Sequence, residues 1–182
     1  MGGEALYGMN ITNKSTPKIL FTITSQGLSS ATSGKSATTG FERLGQIWSK
    51  PVAAKIRLTK GSSTKKNTAP TDVLIFGGGY DMRYEEDDYV PTSASPAKGS
   101  AIYMIDAKTG ELIWSTSSAA TSGKNVKADN MINSITGGIT VLDRDNDGLM
   151  DHIYAADLGG QVFRADFENA RIEQFGFAAV NS

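Results

Sequence analysis

The sequence predicts an all-β fold, a partial β-propeller of about two and a half four-stranded antiparallel blades. Three observations carry this expectation. Apolar segments are short, and no stretch of 11 residues shows the i, i+3, i+4, i+7 stripe of an amphipathic helix. The 20 glycines, with 18 serines and 17 threonines, supply many turns between those segments. A strand–turn–strand pattern also recurs along the chain. Four-stranded units of roughly 40–50 residues plus insertions mark propeller blades.

The first copy reads Ala5-Leu6-Tyr7-Gly8-Met9-Asn10, a polar turn ending at Pro17, then Lys18-Ile19-Leu20-Phe21. Residues 1–23 are therefore expected to form the outer hairpin of a blade that lacks its inner strands and must pair elsewhere, on a partner chain, a neighbouring molecule or the C-terminal end. The second unit, 47–116, holds strands at 51–56 and 72–76, the run Gly77-Gly78-Gly79, and a hairpin from Ala101 to Asp106 and Glu111 to Trp114. The third, 137–176, holds Gly138–Leu142, Asp151–Asp157, Val162–Asp166 and a last strand at 172–175. In each outer hairpin an aromatic precedes an Asp or Asn by three residues: Tyr7 and Asn10, Tyr103 and Asp106, Phe163 and Asp166. Such side chains open turns by accepting backbone N–H groups two residues on.

Polar insertions at 24–40, 59–71, 82–99 and 115–130 are expected to be mobile surface loops. The acidic run Glu85–Asp88 lacks the alternate spacing that would aim its carboxylates at one point, so it reads as a solvated face. Closed propellers hold about four to eight blades. Residues 1–182 accordingly read as one fragment of a larger propeller, with uncovered strand edges and apolar faces at both ends.

The sharpest chemical motif is Asp143-Arg144-Asp145-Asn146-Asp147-Gly148-Leu149-Met150-Asp151. Carboxylates occupy loop positions 1, 3, 5 and 9, with Gly at 6. Calcium is a hard cation that takes six to eight oxygen ligands. A tightly curled loop turns alternate side chains inward, so Asp143, Asp145 and Asp147 converge, Gly148 permits the bend, the Leu149 carbonyl adds a donor and Asp151 closes the site. The twelfth position is Tyr154 and strands flank the loop, so this is no helix–loop–helix. Four carboxylates in nine residues repel one another without a cation.

Other function classes fare poorly. A net charge of −1, from 18 basic and 19 acidic residues, argues against a nucleic-acid partner. Zero cysteines exclude disulfides and thiolate chemistry, and the single His152 leaves multi-histidine metal centres without ligands. His152 is expected to face solvent. No apolar run approaches a membrane span, and no signal-peptide pattern follows Met1. Gly77–Gly79 reads as turn geometry rather than a phosphate cradle, since no helix N-terminus follows. Trp48 and Trp114 read as packing residues. No nucleophile–base pair stands out, so the chain is expected not to be an enzyme.

Several of these segments resemble the C-terminal propeller of PilY/PilC-type type IV pilus biogenesis factors and tip-associated adhesins. The resemblance rests on Gly3-Glu4-Ala5-Leu6-Tyr7, on Asp72 to Asp81, on Tyr103 to Trp114, and above all on the acidic loop running into Tyr154-Ala155-Ala156-Asp157-Leu158-Gly159-Gly160-Gln161-Val162-Phe163-Arg164. It implies a modified, quinoprotein-like propeller that binds calcium, opposes pilus retraction and contributes to twitching motility and adhesion. It implies Asp143, Asp145, Asp147, Asp151 and the Leu149 carbonyl as calcium ligands. The partners it implies are pilus subunits, the remaining blades of the same protein and a host-cell surface, with an extracellular, pilus-associated or outer-membrane location. Two alternatives stay open: a fragment of a quinone-dependent dehydrogenase propeller, for which no cofactor pocket is evident, and a generic scaffold propeller that works without calcium.

Overall fold

The computed structural model describes residues 2–37, 40–57, 69–119 and 125–167. Among these the chain is all-β, with three sheets and a single 3-10 turn at Met82–Glu85. No described helix is long and apolar enough to cross a membrane.

The first sheet runs in the order β1 (Ala5–Asn10), β2 (Lys18–Thr24), β3 (Gly27–Ser30), β4 (Ser36–Ala37), antiparallel throughout. Asn10 opens the first turn as expected, accepting the Thr12 N–H at 2.9 Å. The polar stretch at 24–40 departs from its expected loop and supplies β3 and β4. The first hairpin therefore has partner strands after all. Their sequence hides them: only Leu28 in β3 is a buried apolar residue, and the other buried position is Ser30.

The second sheet carries the four predicted strands β5 (Val52–Ile56), β6 (Thr71–Gly77), β7 (Ala101–Asp106) and β8 (Leu112–Ser117). A fifth, β9 (Asn125–Lys127), pairs parallel to β8 inside the stretch expected to be a loop. Asp106 closes the β7–β8 turn by accepting the N–H groups of Lys108 and Thr109 at 2.8 and 2.9 Å. The third sheet holds β10 (Thr140–Leu142), β11 (His152–Ala156) and β12 (Val162–Asp166). The strand expected at 172–175, and most of the 59–71 loop, lie outside the described residues. The described sheets thus hold four, five and three strands, and none closes on itself.

The middle sheet separates two cores. Phe76, Ala101, Tyr103 and Ile105 pack with Phe21, Ile23 and Leu28 of the first sheet and with Phe41, Leu44 and Ile47 of the segment between them. The alternate residues Val73, Ile75, Ile102 and Met104 pack with Ile153, Ala155, Phe163 and Ala165 of the third. Period-two alternation assigns successive residues of one strand to opposite faces. Here both faces are apolar.

The chain segments cross at closely packed glycines. Gly78 N–H donates to Ala101 O and Gly79 N–H to Ile135 O, so both amides serve backbone pairing and no phosphate cradle forms. Tyr80 and Gln46 exchange backbone hydrogen bonds, and Gly45 N–H reaches Gly78 O. A β-carbon on Gly99, whose φ is +75°, would collide with the Gly79 carbonyl.

The 82–99 insertion is tied down at one buried carboxylate, contrary to the mobile loop expected. Asp81, 2% exposed, accepts hydrogen bonds from the Arg83 N–H, the Arg83 guanidinium at 2.7 Å, the Tyr89 hydroxyl and the Lys98 N–H at 2.7 Å. Tyr80 packs tilted on Tyr84 and Tyr84 edge-on against Tyr89, with the Arg83 guanidinium over Tyr89. Burial pushes the Asp81 carboxyl up. The Arg83 side chain, the two N–H donors and the guanidinium charge outweigh it and hold the group down to about 2. Burial and the Asp81 charge push the Tyr89 hydroxyl up to about 12.

Two outcomes follow from these contacts. Asp81 has a folded pKa below its ordinary 3.8, so its contribution is present above about pH 4 and is lost as pH falls through about 2. Urea unfolding between these limits should show the parent losing no more than about 2 kcal/mol from this group, and Asp81→Asn a flatter profile. Gly99→Ala should lower stability by about 3 kcal/mol or more, through collision and left-handed strain together. Gly148→Ala makes the contrast. Its φ is +85° but nothing lies near the added carbon, so only about 1 kcal/mol should be lost. Equal losses in the two variants would contradict the crossing as described.

Candidate metal centre

The acidic comb lies in the loop between β10 and β11. Leu142 pairs with His152, and the Leu142 carbonyl accepts the Asp151 N–H at 2.9 Å, so the loop starts and ends at one point. Reversal within that span uses two left-handed residues, Asn146 at φ 61° and Gly148 at φ 85°. Asn tolerates this region better than most residues and Gly adopts it freely.

The curl turns the carboxylates onto the loop's own amides. Asp143 Oδ1 accepts the Asp147 N–H at 3.2 Å and its Oδ2 accepts the Gly148 N–H at 2.8 Å. Asp145 Oδ1 accepts the Asp147 N–H at 3.2 Å, and Asp147 Oδ1 accepts the Leu149 N–H at 2.8 Å. Asp151 Oδ2 reaches back to the Arg144 N–H at 2.7 Å. Oxygens of Asp143, Asp145 and Asp151 lie within 4.8 Å of one another. Asp147 sits in the same exposed turn but outside that group, with one oxygen engaged by Leu149.

Leu149 and Met150, 3% and 2% exposed, anchor the end of the loop. The Met150 N–H donates to the Lys55 carbonyl of β5 at 2.8 Å, which fastens the loop to the middle sheet. No sequence signal marks that contact. On the other side the Phe167 N–H donates to the Asp151 carbonyl at 2.7 Å.

His152 does not face solvent as expected. It is 7% exposed, and its Nδ1 lies 2.6 Å from Asp166 Oδ1, an oxygen that the Arg164 Nε also approaches at 2.6 Å. Register explains the pairing, because His152 stands directly opposite Asp166 on β12. Trp114 is fully buried edge-on against Phe167, whereas Trp48 is half exposed against Tyr80.

The donor set fits a hard divalent cation. Every side-chain donor is a carboxylate oxygen, three of them converge, and none of the four aspartates forms an ion pair with Lys or Arg among the described residues. The loop is pre-curled by its own amides, and its ends are fixed to two sheets.

No family model and no curated protein matches this sequence. Among solved structures, the chain is similar to the crystal structure of the Pseudomonas aeruginosa PilY1 C-terminal domain, with a TM-score of 0.53 and 20% sequence identity. The match covers 96% of this chain and 28% of that one, so the chain spans less than a third of its neighbour's length. At this identity the likeness is one of fold. The chain shares the fold of part of the PilY1 C-terminal domain, the relative to which its residue motifs also point.

Proposed function

We propose that this chain is a calcium-binding, non-catalytic part of a propeller-like domain in a type IV pilus-associated surface protein. On this reading each of the three sheets is one blade. The partners are further blades of the same protein and pilus subunits, and the setting is extracellular, at the pilus or outer membrane. Support for pilus assembly against retraction, twitching motility and attachment to host cells belong to the same reading. The observation that carries it is the convergence of Asp143, Asp145 and Asp151 in a pre-curled loop, on a fold shared with the PilY1 C-terminal domain.

The proposed ligands are the carboxylates of Asp143, Asp145, Asp147 and Asp151 with the Leu149 carbonyl. Bound calcium supplies positive charge that offsets the repulsion among these groups. The chain's own residues do the mechanical part. Leu149 and Met150 hold the loop end in the core, and the Met150 N–H clips it to Lys55 of the middle sheet. Fixing the loop therefore fixes the β10–β11 hairpin against the neighbouring sheet, with no domain movement required.

Tyr154 stands where an EF-hand loop carries its bidentate Glu, so affinity should fall roughly between micromolar and millimolar. Calorimetric titration with calcium should give one site in the parent and weakened binding in Asp147→Ala. An Asp147→Ala isotherm identical to the parent's would remove that residue from the ligand set. At calcium a hundredfold above Kd the folded state should gain about 2.7 kcal/mol, read as a melting temperature that a chelator lowers. A melting curve indifferent to both calcium and chelator would end the structural role.

A further inference from the structure

A cleft of about 410 Å3 opens beside the middle sheet, away from the aspartate loop, between the segment preceding β5 and the strands β7, β8 and β9. Strand register builds its floor. Ala101 stands opposite Ser117, Tyr103 opposite Ser115, and Ser115 beside Asn125, so these side chains share one face of the sheet. That face is apolar at Ile105 and Phe76, where it packs on the first sheet. At Ser115 and Ser117 it turns hydroxylic, although the two serines are only 2% and 3% exposed.

A buried hydroxyl without a partner bears the full desolvation penalty of its polar group. Ser115 Oγ is such a group: it has no hydrogen-bond partner among the described residues, and Ser115 lines the cleft. Ser117 Oγ meets the Asn125 side chain at 3.4 Å, beyond good hydrogen-bonding distance. A sheet interior needing only to be filled would carry valine or leucine at these positions.

The mouth is charged. Among the described residues Arg43 and Lys98 line it, with Glu42 as the one carboxylate, its Oε1 accepting the Gly40 N–H at 2.9 Å. Two cations against one anion make this mouth positive in a chain of net charge −1. Arg43 uses Nη1 on the Pro96 carbonyl at 3.2 Å, and a guanidinium has five N–H donors in all.

We propose that the cleft binds a small hydroxylated anion, a sugar acid or sugar phosphate, with the anionic group on Arg43 and Lys98 and the hydroxyls on Ser115, Ser117 and Asn125. Serine hydroxyls and an asparagine amide both donate and accept, which suits sugar hydroxyls that do the same. The volume falls within the range of small-molecule sites. The proposal is independent of the calcium reading.

Calorimetry in the presence of a chelator, which keeps the aspartate loop out of the measurement, tests it with four probes: D-glucuronate, glucose 6-phosphate, glucose and inorganic phosphate. At least one of the two sugar anions should bind, about tenfold or more tighter than glucose or phosphate. Arg43→Ala and Lys98→Ala should each weaken that binding about tenfold. Ser115→Val should abolish it while the melting temperature holds or rises, since the orphan hydroxyl is gone. If Ser115→Val fails to fold, Ser115→Ala removes the hydroxyl without added bulk and should weaken binding severalfold. No heat from either sugar anion at ~10 mM would overturn the site. Equal binding of glucose would overturn the anionic half, and equal binding of phosphate would reduce the site to an adventitious ion only. Unaltered affinity in the Ser115 variants would remove the floor from the proposal.

Discussion

Burial of the middle sheet on both faces is the constraint around which the rest of the chain is arranged. A sheet in water normally keeps one face wet and reads as strict alternation. Here β7 runs Ala101-Ile102-Tyr103-Met104-Ile105 without a polar break, because odd positions face the first sheet and even positions the third. Burying both faces makes the connections difficult. Backbone leaving β6 and entering β7 must pass between two packed layers with every amide paired. Glycines solve this at Gly77–Gly79 and Gly99, where the absence of Cβ lets the segments pair backbone to backbone.

The aspartate loop shows how a charged element can be fastened to such an interior. Its carboxylates stay at the surface, while Leu149 and Met150 immediately afterwards are in the core. The chain thus passes from four repelling charges to two buried apolar side chains within a few residues. Loop amides satisfy part of each carboxylate's acceptor capacity, which pre-curls the turn and reduces the ordering required when a ligand arrives. Attachment to β5 through Met150 couples the loop to a sheet that it does not belong to.

Most of this was legible where residue type has a local consequence. The hairpin turns at Asn10 and Asp106, the four strands of the middle sheet and the acidic comb all depend on short-range rules. What escaped depends on tertiary context. β3 and β9 carry too few apolar residues for periodicity to reveal them, since Ser30, Val126 and their neighbours are held by pairing to adjacent strands rather than by strong alternation. Nothing local singles out Asp81 at the edge of the 82–99 insertion, and its role as an anchor depends on Lys98, seventeen residues on. Alternation with the apolar Ile153 points His152 to solvent, whereas its burial follows from Asp166 across the ladder. In the metal site the comb predicts the convergence of Asp143, Asp145 and Asp147 with Asp151 closing the site, whereas the oxygens that gather belong to Asp143, Asp145 and Asp151. The orientation of Asp147 follows instead from its bond to Leu149, which spacing alone does not fix.

The two outer sheets differ from the middle one in what they leave uncovered. Tyr7, Met9 and Ile19 lie exposed on β1 and β2, while Phe21 and Ile23 on the same sheet are buried. Leu142 and Val162 are exposed in the third sheet, opposite a buried face that includes Ile153 and Phe163. Single exposed apolar residues are ordinary, but clusters of them on sheet faces favour further packing. The middle sheet shows what such a face becomes once another sheet lies over it. On the propeller reading, the stacking that buries β7 on both sides would be repeated by neighbouring blades on β2 and β12. The same geometry would then place the aspartate loop at the junction of two sheets within a longer series, where holding one hairpin steady keeps the next interface in register.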